Sequence, residues 1–181
     1  RAGGGGGEAT VVRDRGGDGA TSEADFHEAL NFAAVCEGPV VFCGQNNGYA
    51  ISVPLSQQSA ASSLAHKAIG YGMAGERVDG NDRVAVLATL RRAVALAREH
   101  SMPLLVEATT YRLQAHTNAD DDTRYRDREE VEQWRRLAPP VRMRPFLPER
   151  GALDAAPAQA PPARAPPAPS HLSPPHNGTP S

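Results

Sequence analysis

Apolar positions along the chain alternate between two periods. Phe26, Leu30, Ala33 and Ala34 recur at helical spacing through about Cys36, and Gly38-Pro39 ends that pattern. The preceding Ser22-Glu23-Ala24-Asp25 has the form of a capping box, with serine at the N-cap and an acid three residues on. Pro39 then leads into Val40-Val41-Phe42-Cys43, an unbroken apolar run of the kind found in strands buried on both faces. The alternation repeats downstream. A second helix is predicted near Ser63 to Tyr71, a short strand at Glu76 to Val78, and a long helix from an Asn81-Asp82 cap. Val84, Leu87, Leu90, Val94 and Ala97 form the apolar stripe of that long helix, while Arg91, Arg92, Arg98 and Glu99 fall mostly off it. Pro103 introduces another strand, Leu104 to Tyr111. A polar loop follows from Arg112 to Arg126, and Asp127, with Glu130 three residues on, caps a final amphipathic helix through Val131, Trp134 and Leu137.

Helices alternating with apolar strands predict crossover units, and so an α/β fold with a parallel sheet covered by helices on both faces. One element is weak. Before Gly17 only Thr10-Val11-Val12 is apolar and Arg13-Asp14-Arg15 interrupts it, so a good first strand is not expected there. Residues 1–16 read as a Gly-rich, irregular leader, 17–154 as the folded domain, and 155–181 as a disordered tail of Ala, Pro and Ser. Removing the polyglycine start, residues 1–7, and the tail leaves roughly 145 residues, within the usual size of one domain.

Composition narrows the functions. A formal net charge of -2 with no Lys/Arg cluster gives no basis for nucleic-acid binding. No apolar run reaches the length of a membrane span, and no charged-then-apolar signal segment opens the chain, so a cytoplasmic location follows. Cys36 and Cys43 lack C-x-x-C spacing and are expected to be buried reduced thiols.

Ligands of an open parallel sheet bind beyond the carboxyl ends of its strands. Gly17-Asp18-Gly19 precedes the capped helix, and Asn46-Asn47 follows the Val40 to Cys43 strand; one helix and one strand, 26 residues, separate them. Each motif alone is equally a turn sequence. Together they suit magnesium, which takes hard oxygen ligands in an octahedron and completes its shell with phosphates and water. Asp18 offers a carboxylate, Asn47 an amide oxygen, and a backbone carbonyl just beyond it a third ligand. The glycines beside Asp18 let the backbone approach a diphosphate, and the following helix N-terminus favours its charge.

The stretch from Gly17 to Pro54, including Gly-Asp-Gly-Ala-Thr-Ser-Glu and Gln-Asn-Asn-Gly-Tyr-Ala-Ile-Ser-Val-Pro, closely resembles the alpha subunit of the decarboxylating component of 2-oxo acid dehydrogenase complexes. Further family-like segments are Val78 to Asp82, Glu107 to Arg112, and His116-Thr117 through Asp120-Asp121 to Arg124-Tyr125-Arg126. The resemblance covers roughly residues 17–154. It implies a thiamine-diphosphate-binding fold and an enzyme that decarboxylates a 2-oxo acid and passes the acyl group to a lipoyl carrier.

Carried over by position, Asp18, Asn47 and the backbone oxygen of Tyr49 are the implied magnesium ligands. Gly17, Gly19 and Ala20 are the implied diphosphate cradle, and Ile51 lies close to thiamine diphosphate. His116 matches the histidine that faces the cofactor and assists proton transfer. Arg112, Asp120, Tyr125 and Arg126 match positions that order the loop carrying it. Asp120-Asp121-Asp122 lacks the spacing of a calcium loop and reads as a solvated turn. Some relatives are regulated by serine phosphorylation in this loop; with Thr117 and no serine between His116 and Arg126, that regulation is not expected here.

The implied partners are a beta subunit, in a heterotetramer, and a lipoyl-bearing acyltransferase core. The beta subunit supplies the glutamate that activates the cofactor ring, so this chain alone is expected to be inactive. Gln45 to Ser52 looks more like the branched-chain (2-oxoisovalerate) enzymes than the pyruvate ones, with pyruvate dehydrogenase as the alternative substrate class. The compartment is then the bacterial cytoplasm, or the mitochondrial matrix in a eukaryote. A reading from a different class is a truncated, non-catalytic interaction module. Relative to the family, the domain is expected to be incomplete on its N-terminal side, without the buried strand that delivers Gly17. Pro139-Pro140, Pro145 and Pro148 are expected to break a helix that continues in relatives.

Overall fold

The computed structural model describes residues 10–149. The polyglycine start of the leader, the segment from 155 onward, and with it His171 and His176, lie outside the described residues. In chain order the elements are β1 (Val12–Gly17), α1 (Ala24–Val35), β2 (Val40–Asn46), a hairpin of β3 (Tyr49–Ala50) and β4 (Val53–Pro54), α2 (Leu55–Gln58), β5 (Ala74–Asp79), α3 (Arg83–His100), β6 (Leu104–Thr109), α4 (Arg128–Arg136) and α5 (Pro139–Glu149). Single 3-10 stretches cover Gly19–Ser22, Leu64–Tyr71 and Asp122–Arg124.

The main sheet has the order β1-β2-β6-β5, and every pairing in it is parallel. The chain steps in one direction from β1 to β2 and in the opposite direction from β5 to β6. Right-handed crossovers therefore place α1 and α3 on opposite faces. The packing follows. On one face Leu30 and Ala33 of α1 meet Phe42, Leu105, Met73 and Ala68 of the Leu64–Tyr71 stretch. On the other, Ala93 and Ala97 of α3 meet Val41, Val78, Leu104, Val106 and Ala108. Successive residues of β2 and β6 thus feed opposite cores, which is why both strands read as unbroken apolar runs. The α/β class and the two-sided cover are as expected.

Several expectations need correction. The first strand exists: β1 pairs with β2 from Val12↔Val40 to Gly17↔Gln45, where an irregular leader was expected. It is an edge strand, with Val12 56% exposed, so Arg13, Asp14 and Arg15 remain in solvent while the ladder depends only on backbone groups. Ser22 is not an N-cap; it ends a 3-10 turn, and α1 begins one residue after Glu23. The buried face of α3 is rotated from the expected stripe, because Val84 and Leu87 are about half exposed while Thr89, Ala93 and Ala97 are buried. Helix α5 forms through the proline-rich segment. Pro139 and Pro140 occupy its first turn, where a backbone N–H has no intrahelical partner to lose. Cys36 is exposed at the end of α1, and Cys43 only half-buried, its thiol pushed up in pKa by that burial.

Asp82 and Asp127 cap α3 and α4 through their carboxylates, as the sequence predicts. Glu130 does not close a capping box, for its carboxylate instead accepts from the Tyr49 hydroxyl at 3.5 Å.

Leu30 is fully buried at the centre of the α1 face. Leu30→Ala is expected to cost about 2–5 kcal/mol of unfolding free energy. Urea denaturation followed by circular dichroism measures it; a cost under about 1 kcal/mol would show that this face is not closely packed.

Candidate functional site

The register of β1 on β2 places Gly17 opposite Gln45, so the next residues of both strands emerge side by side at the carboxyl edge. There the Asp18 N–H donates to the Gln45 carbonyl at 3.1 Å, and the Asn47 N–H donates to Asp18 Oδ1 at 3.3 Å. The two motifs, 26 residues apart in sequence, are thus joined directly. Thr21 then folds the chain back, its hydroxyl donating to the Asp18 carbonyl at 2.7 Å. Asp18 is 1% exposed, yet the bonds to its carboxylate are long: 3.3 Å from Asn47 and 3.4 Å from Gln58 Nε2. Gln58 also carries a buried Oε1 with no hydrogen-bond partner among the described residues.

The turn after β2 is shaped by two asparagines. Asn46 Oδ1 accepts from the Gly48 N–H and Asn47 Oδ1 from the Tyr49 N–H, each at 3.1 Å. Gly48 takes φ +86°, a conformation that glycine adopts at little cost. Ile51 sits at the tip of the β3–β4 hairpin with φ +56°, which for a β-branched residue is strained. Arg112 offsets this by donating to the Ile51 carbonyl at 2.6 Å and to the Tyr49 carbonyl at 3.4 Å.

Arg112 also joins this turn to the loop of His116. It donates to the Tyr125 hydroxyl at 3.1 Å, that hydroxyl donates to Asp120 Oδ2 at 2.5 Å, and the same oxygen accepts from the His116 N–H at 2.8 Å. Arg126 is buried below, bonded to the Arg112 carbonyl and Asp122, and its guanidinium lies 5.5–6.0 Å from the ring centres of Tyr49, Tyr111 and Tyr125. The three aspartates are therefore not a freely solvated turn. Asp120 holds Tyr125 and His116, Asp121 caps Thr123, and Asp122 pairs with Arg126.

An all-oxygen cation site fits what is present. Asp18 brings a buried negative charge with only weak donors, beside an unpartnered amide oxygen. The Asn47 amide oxygen retains a second lone pair beyond the one used by Tyr49. No group of three or more His, Cys, Asp or Glu side chains is placed to hold a metal among the described residues. Space fits as well: a Cβ on Gly19 would lie 2.9 Å from Ala50 Cβ, whereas one on Gly17 would meet nothing within 4 Å. A 530 Å³ cleft lies next to this site, between β1 and α1, lined by Gly17, Ala20, Phe26 and Phe42 but not by Asp18, Asn47 or Tyr49.

The structure thus brings Asp18, Asn47, Tyr49, Ile51 and Arg112 together, with His116 tethered at one remove through its backbone while its imidazole is solvent-exposed. Sequence reasoning missed Gln58 and the buried Glu107, which bonds to Asn46. A signal for Glu107 was available: it is the one charged residue in the otherwise buried, apolar β6.

A family model described as Dehydrogenase E1 component matches residues 7–161. A 3-methyl-2-oxobutanoate dehydrogenase subunit alpha of Mycobacterium tuberculosis is 60% identical over 135 residues, which are 75% of this chain and 37% of that protein. The 2-oxoisovalerate dehydrogenase subunit alpha of Bacillus subtilis is 44% identical over 76% of this chain and 42% of its own length. A pyruvate dehydrogenase E1 component subunit alpha of Staphylococcus aureus is 47% identical over 75% of this chain and 37% of its own. The chain therefore spans about two fifths of the length of these relatives. No helix among the described residues is long and apolar enough to cross a membrane.

Asp120 is held below the ordinary carboxylate pKa, chiefly by the Tyr125 hydroxyl and then by the His116 N–H. A depressed folded-state pKa means the tether is complete above the unfolded value of about 3.9 and is lost as pH falls below it. The NMR resonances of the Tyr125 ring should hold steady from pH 8 to about 4.5, and those of the Tyr125 ring and the His116 amide should both move in stronger acid. Asp120→Asn should shift both already at pH 7 and abolish the acid step; a parent protein without that step would contradict the tether.

Proposed function

The chain belongs to the dehydrogenase E1 component family, and from that premise we propose that it is the cofactor-binding part of an alpha subunit acting on a branched-chain 2-oxo acid. The observation that carries the reading is the buried Asp18 carboxylate, linked to Asn47 and poorly satisfied by its own protein donors. In this proposal Asp18, Asn47 Oδ1 and the Tyr49 carbonyl hold magnesium, and Gly17, Gly19 and Ala20 lie along the diphosphate. Ile51 packs near the cofactor. Thiamine diphosphate, when bound, supplies the carbanion-stabilising centre that decarboxylation needs.

What this chain's own residues contribute is position and proton handling. The Arg112 bonds fix the directions of the Tyr49 and Ile51 carbonyls. Asp120 and Tyr125 hold the backbone of His116, leaving its imidazole free to exchange a proton during acyl transfer to a lipoyl carrier. Residues 17–154 form the functional unit in this reading. A beta subunit completes the site, so turnover requires that partner, with a lipoyl-bearing acyltransferase as acceptor. The compartment is the cytoplasm of a bacterium, or the mitochondrial matrix in a eukaryote. Pyruvate is the alternative substrate, favoured by the 47% identity to a pyruvate dehydrogenase subunit.

Magnesium with thiamine diphosphate, in the presence of a beta subunit of this family, is expected to raise the melting temperature. Ligand at 100 times its Kd contributes about 2.7 kcal/mol. Magnesium or thiamine diphosphate alone should do much less, and Asp18→Ala and Asn47→Ala should each abolish the rise. Absence of any rise in the parent, or an undiminished one in both variants, would overturn the assignment.

A further inference from the structure

Glu107 lies at the middle of the site's support and has no part in the chemistry above. It is 1% exposed and stands in β6 between Val106 and Ala108, whose side chains feed the α3 core. Alternation along the strand turns Glu107 to the opposite face, toward the start of the Leu64–Tyr71 stretch. Its Oε2 accepts from the Ser63 hydroxyl and, at 3.1 Å, from the Ala65 N–H. Its Oε1 accepts from Asn46 Nδ2 at 2.6 Å. Burial pushes this carboxyl up in pKa, but the bonds from Ser63, Asn46 and Ala65 together outweigh it and leave the pKa below the ordinary value. Glu107 is therefore ionised at neutral pH, and both of its oxygens accept hydrogen bonds.

The Asn46 bond matters beyond β6. A side-chain amide bonded through Nδ2 has its Oδ1 aimed in a set direction, and that oxygen accepts from the Gly48 N–H. The Asn46 carbonyl is held as well, by the Thr110 N–H at 2.7 Å, and the Gly48 carbonyl by the Leu55 N–H at 2.9 Å. Asn46 is thus fixed on both sides, and Asn47 and Tyr49 project from the turn it anchors. We propose that Glu107 is a positioning residue which, acting through Asn46, sets the turn that presents Asn47 and Tyr49 opposite Asp18. The inference rests on the magnesium reading for its consequence, though not for the geometry of the turn.

The two oxygens of Glu107 allow a split test. Glu107→Gln disturbs the Asn46 side, because its single amide oxygen is drawn to the two donors Ser63 and Ala65 and its NH2 then faces the Nδ2 donor of Asn46. Ser63→Ala removes a bond to the same carboxylate on the other oxygen and leaves Asn46 held. Both variants should lower stability, but only Glu107→Gln should loosen the turn. Hydrogen exchange in the unliganded 181-residue chain should be about tenfold faster at the Gly48 and Tyr49 amides in Glu107→Gln, with α3 unchanged. In Ser63→Ala those amides should exchange as in the parent.

Magnesium titration at fixed thiamine diphosphate, with the beta subunit present, should then show an affinity about 10–100-fold weaker in Glu107→Gln and within about twofold of the parent in Ser63→Ala. Unchanged exchange in a folded Glu107→Gln chain overturns the proposal, as does equal loosening by both variants. Faster exchange with unaltered magnesium affinity overturns its functional half. If the parent itself binds no cofactor, the proposed function fails and the exchange result alone decides whether Glu107 sets the turn. Should Glu107→Gln not fold, Asn46→Ala tests the same path, with the same exchange pattern expected.

Discussion

In a parallel ladder a slip of one residue turns every side chain to the opposite face, so the pairing of Gly17 with Gln45 decides where Asp18 can point. From that register the Asp18 N–H reaches the Gln45 carbonyl, and its carboxylate meets the backbone of Asn47. Everything proposed for the site follows from this one alignment. Shifted by a residue, Asp18 would face away from the turn, and the glycines on either side would no longer flank a shared opening.

The alignment is held from both faces of the sheet. Because β1 is an exposed edge, its own side chains contribute little, and the ladder to β2 carries it. Strand β2 in turn is fixed by Val41 in the α3 core and Phe42 in the α1 core. Two cores of opposite sides thus position one strand, and that strand positions both its neighbours. A buried carboxylate at Glu107 in the next strand is costly unless hydrogen-bonded, and its bonds go to Asn46 on one side and to Ser63 and Ala65 on the other. The penalty for leaving it unpaired opposes any arrangement in which the turn after β2 is displaced.

A second support comes from the far side of the turn. Arg126 lies among Tyr49, Tyr111 and Tyr125, hydrogen-bonded and close to all three rings, and Arg112 is hydrogen-bonded to the Tyr125 hydroxyl beside it. Arg112 holds carbonyls of the strained hairpin tip, and through Tyr125 and Asp120 it also ties down the start of the His116 loop. One residue therefore couples the proposed metal turn to the proposed proton-handling loop. The imidazole of His116 itself stays in solvent, so its final position depends on what binds against this edge.

Much of this was readable before any coordinates. Unbroken apolar strands alternating with amphipathic helices required a parallel sheet covered on both sides. The caps at Asp82 and Asp127 followed from local hydrogen bonding alone, and the family was legible in the resemblance of Gly17 to Pro54 to the dehydrogenase alpha subunits. These are properties of short segments, and short segments carry their own physics. Strand β1 was misjudged because an edge strand needs only backbone pairing, so Arg13, Asp14 and Arg15 gave no sign of it. The α3 stripe was rotated because Ala85 and Val86, rather than Val84 and Leu87, pack against the core at the start of that helix, and only packing decides which face is covered. The link from Glu107 to Asn46 spans 61 residues, and that from Arg112 to Ile51 also spans 61. No local pattern encodes such pairings, for they exist only once the sheet order has brought the strands side by side.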